Sequence, residues 1–432
     1  MDLSSTYASL YNRRFSDFLR LAYQFMQHVY RTGKTRELGS FLVWEMQYRL
    51  GFFSRNKVLT LTRQPISIQS IQDSLKTTTD TLFLDRDVTI TTATIDWKYC
   101  FEGTEGQLWG CEFGNDTTLI TSADHSTATV VAVFPASIRS LYVNRAGAVF
   151  VCAQGILYRS QPSGGGFTNV LSLTTPESYF LFNRGITELP DGTLLLGEYA
   201  SIWTNNKWTN LANLYIGTNE GLNWLKSDFL IRQGVNKHIH LIQYSSRLKQ
   251  LFLTDGDNKK QLWRNRSCTN LIEPANQNKP GWRLLNRFHI QTGGYTSMVE
   301  HDEGIVFGTD YLGGTNFLVH TTDGLRFEKV VLPDPYRRSP VINMVRRQIE
   351  GKTEIWALLH NSIIPKAKCL LMRSTDYGRT WTRIIEYDGC KHEIQLVSAS
   401  HGTSQAIYFC IRRFDNGQEM SRTYQISSKS AT

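Results

Sequence analysis

The chain lacks most of the short motifs that announce an activity. It has no Gly-rich phosphate loop, no His-Glu-x-x-His helix and no Gly-x-Ser-x-Gly elbow. That sets aside the familiar phosphate cradles, one class of zinc peptidase and the elbow serine hydrolases. The single glycine run, Gly164-Gly165-Gly166, is not followed by a Lys-Ser or Lys-Thr pair. No apolar run approaches the roughly 20 residues of a bilayer-crossing helix, and no cleavable leader is visible. A cytoplasmic location is the expectation, with export by a route that reads no such leader left open. The seven cysteines (Cys100, Cys111, Cys152, Cys268, Cys369, Cys390 and Cys410) are odd in number and show no Cys-x-x-Cys spacing. Several lie in apolar runs, which points to buried free thiols rather than a disulfide framework. Charge of one sign is also scarce. The formal net charge is +9, and residues 1–60 account for +5 of it, with nine Lys and Arg against four Asp and Glu. The remainder is too mildly basic to argue for nucleic acid, so no such partner is expected.

What the chain does have is repetition. Ser374-Thr-Asp376-Tyr-Gly378-Arg-Thr-Trp381 reads as a tight turn between strands. Ser374 and Asp376 can accept nearby backbone N–H groups, Gly378 permits positive φ, and Trp381 buries a large ring in the next strand. Degenerate copies occur at 160–167, 217–224 and 320–327, and a weaker one at Ser122, Asp124 and Ser126. The closing aromatics Phe167, Trp224, Phe327 and Trp381 are about 57, 103 and 54 residues apart, and a fixed period of that order marks a propeller or solenoid. A second marker runs in phase: hairpins ending in Gly106, Gly147, Gly192, Gly304 and Gly351, each between apolar runs. End to end this gives about seven units between residues 93 and 427, with six the alternative count. The fold class is an all-β propeller of four-stranded blades, preceded by a short α-helical segment. The last unit has room for only three strands. A strand within 61–92, around Leu82 to Thr92, is expected to supply the fourth and close the ring. A non-repeating β-sandwich is the competing reading.

Residues 1–60 form the helical segment. Leu10, Tyr11, Phe15, Phe18, Ala22, Phe25, Met26, Val29 and Tyr30 recur at helical spacing, with Arg13, Arg14, Asp17, Arg20, Gln24, Gln27 and Arg31 between them. Gly33 is expected to end the helix, and a second helix is expected over about 35–50. Packing on the propeller, docking of a protein partner and peripheral membrane contact all fit such a segment.

Chemistry must be argued from residues, because propellers host many activities. His238 and His240 are two apart at a strand start, so both imidazoles are expected on one side. They suit a divalent metal, with His289, His301, His320 or His360 as further ligands, or a general acid–base pair. Histidines bonded to backbone carbonyls are the structural alternative. Glu198, Asp255, Asp257 and Asp310 recur at the ends of second strands. They could gather on one face as the paired carboxylates of glycoside hydrolysis, or each could cap a turn in its own blade. Among Arg139, Arg184, Arg337, Arg338 and Arg346, Arg184 is the best placed to grip an acidic sugar. Tyr199 and Tyr295 could stack on it.

The turn at Ser374, Asp376, Gly378 and Trp381 resembles the Asp-box of sialidase-like β-propellers, over about residues 90–425. The stretch 191–199, followed by 214–224 and 238–240, is similar to BNR-repeat, glycosyl-hydrolase-like bacterial proteins. The resemblance implies a carbohydrate ligand and either a glycosidase or a polysaccharide lyase, and the strand positions above make His238, His240, Glu198 and Asp310 the catalytic candidates. A non-catalytic interaction or assembly propeller is the alternative. The Arg-Ile-Pro motif that true sialidases carry before the first box is absent here, so their catalytic set is not carried over.

Overall fold

The computed structural model describes residues 15–31, 57–71, 81–85, 88–161, 166–204, 207–235, 237–255, 260–277, 279–285, 294–311, 314–349, 351–364, 366–401, 406–415 and 418–427, with residues 35, 38, 39 and 42. Two compact units divide the chain: residues 1–55 with 288–290, and residues 56–287 with 291–432.

The second unit is a ring of seven blades. Blade 1 is built from Trp97–Glu102, Leu108–Glu112, Asn115–Ser122 and Thr129–Val133; blade 2 from Ile138–Val143, Val149–Ala153, Ile156–Ser160 and Phe167–Ser172. Blade 3 uses Ile186–Glu188, Leu194–Gly197, Leu214–Thr218 and Asn223–Ser227; blade 4 uses Ile239–Ser245, Gln250–Asp255, Leu262–Asn265 and Arg283–Leu284. Blade 5 uses Tyr295–His301, Gly304–Thr309, Phe317–Thr321 and Glu328–Val331; blade 6 uses Val341–Ile349, Lys352–Leu359, Cys369–Ser374 and Thr380–Tyr387. Blade 7 takes His392–Leu396, Ile407–Asp415 and Gln418–Ser427 from the C-terminal end and Val88–Thr92, then Thr81–Asp85, from the N-terminal side. Val88–Thr92 pairs antiparallel with Gln418–Ser427, with Ile90 opposite Ile426, and completes the last blade. Lys57–Val58 adds a parallel outermost strand to blade 5; Thr60–Thr62 and Ile66–Ser67 add theirs to blade 6.

Each sheet is buried on both faces against its neighbours. The second strands are therefore rich in apolar residues, and Val149–Ala153 and Leu194–Gly197 are buried at every position. The turn chemistry follows the residues. Gly378 N–H donates to Ser374 Oγ at 2.9 Å, Thr380 N–H and Oγ1–H donate to Asp376 at 2.9 and 2.6 Å, and Trp381 Nε1–H returns to Gly378 O at 2.9 Å. Gly378 has φ of +84°. The degenerate copies keep parts of this set. Trp224 Nε1–H bonds Gly221 O at 2.8 Å, Gly324 N–H bonds Thr321 Oγ1 at 2.8 Å, and Asp124 accepts the Ser126 and Thr127 N–H groups. All join the third to the fourth strand of a blade, so they share one face of the disc.

Blades 6 and 7 are joined by a buried ionic cluster. Arg347, fully buried, donates to Glu354 at 2.9 and 2.6 Å and to Ile426 O of blade 7 at 3.0 Å. Trp356 Nε1–H (3.1 Å) and Arg373 complete the shell of the Glu354 carboxylate.

In the first unit, Phe15–Arg31 forms a helix, α1. Its covered face agrees with the expected one only in part, at Val29 and the half-buried Phe25. Leu21 and Val29 are buried, whereas Leu19, Tyr23, Met26 and Tyr30 are exposed. The apolar residues of α1 form two stripes, and the spacing alone did not say which would be covered. The expected second helix and the turn at Gly33 fall mainly outside the described residues. No described helix is long and apolar enough to cross a membrane.

Candidate functional site

Inner strands all enter the channel from one face of the disc. That entry face collects the starts of first strands, the ends of second strands and the connections between blades. A local distortion repeats there. In blades 1, 2, 4, 5 and 6 the first inner-strand pair is followed by a β-bulge, which inserts Lys98, Arg139, His240, Thr296 and Ile342 as unpaired residues. A bulge re-aims a side chain at a sheet edge, so three basic residues stand at matching positions around the entrance.

The bulge also changes the reason for which the histidines meet. His238 precedes the strand, which begins at Ile239, and simple alternation does not hold through His240. The rings nonetheless stack at 4.9 Å and 16°, with the two Nε2 atoms 2.9 Å apart. His238 Nδ1 lies 2.5 Å from Ala200 O and must donate there, so neutral His238 offers Nε2 as an acceptor to Nε2–H of His240. Nδ1 of His240 faces Asp310 Oδ2 at 3.9 Å. That separation is beyond hydrogen-bond reach, so Asp310 stands beside the imidazole pair without a direct hydrogen bond to it. A tetrahedral ion about 2.0–2.1 Å from both nitrogens would hold them about 3.3 Å apart, so the observed spacing fits a shared proton better than a shared metal. Among the described residues, no group of three or more His, Cys, Asp and Glu is arranged to hold a metal.

Tyr199 packs on both imidazoles, at 4.0 Å from His238 and 5.7 Å from His240, and Tyr179 packs on Tyr199 at 5.2 Å. The Arg139 guanidinium lies 4.7 Å from the Tyr179 ring. Lys260 Nζ lies 4.0 Å from the Tyr311 ring and donates to Asp310 O. Both histidines are buried, whereas Tyr179, Tyr199, Asp310 and Tyr311 are partly open and Arg139 is exposed. The open part of this cluster therefore combines aromatic rings with the Arg139 and Lys260 cations and the Asp310 carboxylate, and the histidines lie behind it.

Arg184 sits among these groups. Burial lowers its pKa from the ordinary value, while Tyr199, Asp310 and Tyr179 oppose the shift; the guanidinium stays charged. The turn that carries it spans the channel. Arg184 donates to Ile342 O and Asn183 to Met344 O of blade 6, and blade 4 bonds back through Ile242 N–H to Arg184 O and Gln243 to Asn183 O. Below this turn lies a cavity of about 210 Å³ that runs toward the opposite face, lined by Arg145, Glu188, Glu300, Arg346 and His401 among others. Its acids are engaged. Glu188 accepts Arg145 N–H at 2.8 Å, and Glu300 accepts the Ser245 and Ser246 hydroxyls and the Arg247 N–H.

The structure thus gathers His238, His240, Asp310, Tyr199 and Arg184, and it separates Glu198 and Tyr295 from them. Glu198 is fully buried and accepts Thr174 N–H (2.8 Å), Thr174 Oγ1–H (2.8 Å), Asn213 (2.7 Å) and Tyr215 (3.0 Å). Its four donors hold blade 3 to the incoming connection and turn the carboxylate away from the histidines. Tyr295 is likewise fully buried and stacks on Phe307 at 4.6 Å within blade 5. Burial pushes its hydroxyl well above the ordinary range. Asp255 caps the N–H groups of Lys260 and Gln261 in its own blade. His301 and His360 have partners elsewhere, Glu303 N–H and Tyr387 Oη, and His320 crowds Gly378 on the far face. Asp257 and His289 lie outside the described residues. Arg337 bonds Thr315 and Asp334, and Arg346 bonds Glu300 O. The basic bulges and the channel-spanning turn escaped the sequence reading. Lys98 and Arg139 occupy the same repeat position as His240, and that was the available signal.

No protein-family profile and no curated protein matches the chain. Similar solved structures include YCF48 from Cyanidioschyzon merolae (11% identity, covering 78% of this chain and 98% of that one, TM-score 0.48). They also include the extracellular domain of a putative hybrid two-component system from B. thetaiotaomicron (11%, 79% and 40%, TM-score 0.49) and a gluconolactonase from Xanthomonas campestris (8%, 79% and 90%, TM-score 0.39). These neighbours are β-propellers; at this level of similarity nothing about activity passes between them.

Proposed function

We propose that the entry face binds an acidic glycan. The observation that carries this reading is the partly open Tyr179–Tyr199 aromatic surface, with Arg139, Arg184 and Lys260 around it. Aromatic faces accept sugar rings, and guanidinium groups accept carboxylates in bidentate fashion. Asp310 and the hydrogen-bonded His240–His238 pair then supply titratable groups for proton transfer beside the bound sugar. With Glu198 turned into blade 3, Asp310 is the carboxylate that the described residues bring to the histidines, without an opposed second one. The chemistry of this cluster suits β-elimination better: a base takes the proton next to the sugar carboxylate, the C–O bond to the leaving sugar breaks, and an acid returns a proton to that oxygen.

The test is calorimetric binding of uronate polymers against neutral polymers of the same length, together with ultraviolet detection of the unsaturated product, with and without chelator. Tyr199→Ala and Arg139→Ala should each weaken binding about tenfold, worth roughly 1.4 kcal/mol. His240→Ala should abolish elimination and leave binding nearly intact. Equal binding of charged and neutral polymers would overturn the reading. Burial of both histidines favours a second one, a non-catalytic interaction propeller. Wild-type binding with no product on any polymer, unchanged in His240→Ala, would select it.

A further inference from the structure

The second-to-third-strand connection of blade 3 leaves the same face as the histidines. It carries a two-stranded projection, Trp203–Thr204 paired with Lys207–Trp208. Trp203 is 54% exposed, an unusual state for the largest apolar side chain. Its ring lies 4.9 Å from Trp208, edge to face at 69°, and Lys237 Nζ lies 3.8 Å from the Trp208 ring. Neither Trp203 nor Trp208 belongs to a buried hydrophobic cluster of the described residues, so core packing does not account for this aromatic pair. The projection is also held firmly. Thr209 N–H bonds Ile202 O at 2.9 Å, and Leu211 N–H bonds Lys237 O at 2.5 Å.

Both ends of this unit are tied to the histidine pair. Ala200, whose carbonyl receives His238 Nδ1, is three residues before Trp203, a reach of at most about 10 Å. Lys237 immediately precedes His238. The aromatic projection therefore borders the Tyr199 surface, and a cation flanks it as cations flank Tyr179.

Resting on the glycan reading above, we propose that Trp203, backed by Trp208 and Lys237, is a second sugar-stacking subsite, which makes the natural ligand a chain of several acidic sugars rather than a monosaccharide. The experiment measures affinity for uronate monomer, trimer and hexamer prepared from pectin, alginate and hyaluronan, by calorimetry and by quenching of tryptophan fluorescence. Wild type should bind hexamer about tenfold or more tightly than monomer. Trp203→Ala, exposed enough to leave folding intact, should lose that gain, lose much of the quenching and keep monomer affinity. Trp203→Tyr should restore the gain. If hexamer affinity survives in Trp203→Ala, or if wild type shows no dependence on length, the subsite is refuted while the Tyr199 site stands. If wild type binds no uronate of any length, both readings fall together.

Discussion

Removing the Glu354 charge should open the seam between blades 6 and 7. The carboxylate is nearly fully buried and receives Arg347, Arg373 and Trp356, and Arg347 has no exposed surface. Glu354→Gln keeps the volume but strands the Arg347 guanidinium in the interior. Breaking a buried pair from one side costs about 3–5 kcal/mol. Unfolding entropy of about 2.1 cal/mol/K per residue, over roughly 370 propeller residues, converts this to a fall in Tm of about 4–6 °C. Calorimetry on wild type and variant reads it directly. The double variant Arg347→Met/Glu354→Leu should recover part of the loss, because the Arg347 charge leaves together with its partner and apolar replacements of buried pairs are often neutral, while Arg373 still loses its carboxylate. A Glu354→Gln variant within about 1 °C of wild type, or a double variant that loses as much as the single changes added together, would refute the reasoning.

Two further outcomes concern the opposite face. Burial lowers the His301 imidazole to about 4 from its ordinary 6.5, with His320 adding to the shift, and its Nδ1 must stay unprotonated to accept Glu303 N–H. Its contribution is complete above pH 6.5 and is lost as pH falls toward 4, because the unfolded chain takes up the proton first. The loss amounts to about 2 kcal/mol at pH 5. Chemical denaturation at pH 7 and pH 5 should show His301→Gln with a smaller difference than wild type, and equal differences would count against the assignment. At Gly378, φ is +84° and a Cβ would lie 2.8 Å from His320 Cε1. Gly378→Ala should therefore cost about 1–3 kcal/mol, measured by the same denaturation; a neutral effect would show that the turn relaxes freely.

The architecture was legible because turn chemistry is local. Ser374, Asp376 and Gly378 act within a few residues of one another, and a blade repeats that arrangement at the same strand junction. His238 and His240 were legible for a related reason, closeness along the chain, although a bulge rather than plain alternation brings their rings together. Glu198 and Asp310 end second strands in the same way, yet only Asp310 faces the histidines. Glu198 is captured by Thr174 and Asn213, from segments about 24 and 15 residues away, and nothing in the local pattern announces that capture. The crossing of Asn183 and Arg184 to blade 6 joins residues about 160 positions apart, which no periodicity encodes. Trp203 and Trp208 carry a local signal, since Trp-Thr-Asn-Asn-Lys-Trp reads as a small hairpin, but they fall outside the blade repeat.

The last blade draws on both ends of the second unit, and this sets an order of events during synthesis. Val88–Thr92 emerges from the ribosome more than 300 residues before Gln418–Ser427, the strand it pairs with. Until then its edge is unsatisfied, and six completed sheets must wait in an open arc with their end faces wet. A circular permutant that begins between blades would instead build the four blade strands of every sheet from contiguous chain. It should refold faster than the natural order, with the same final disc.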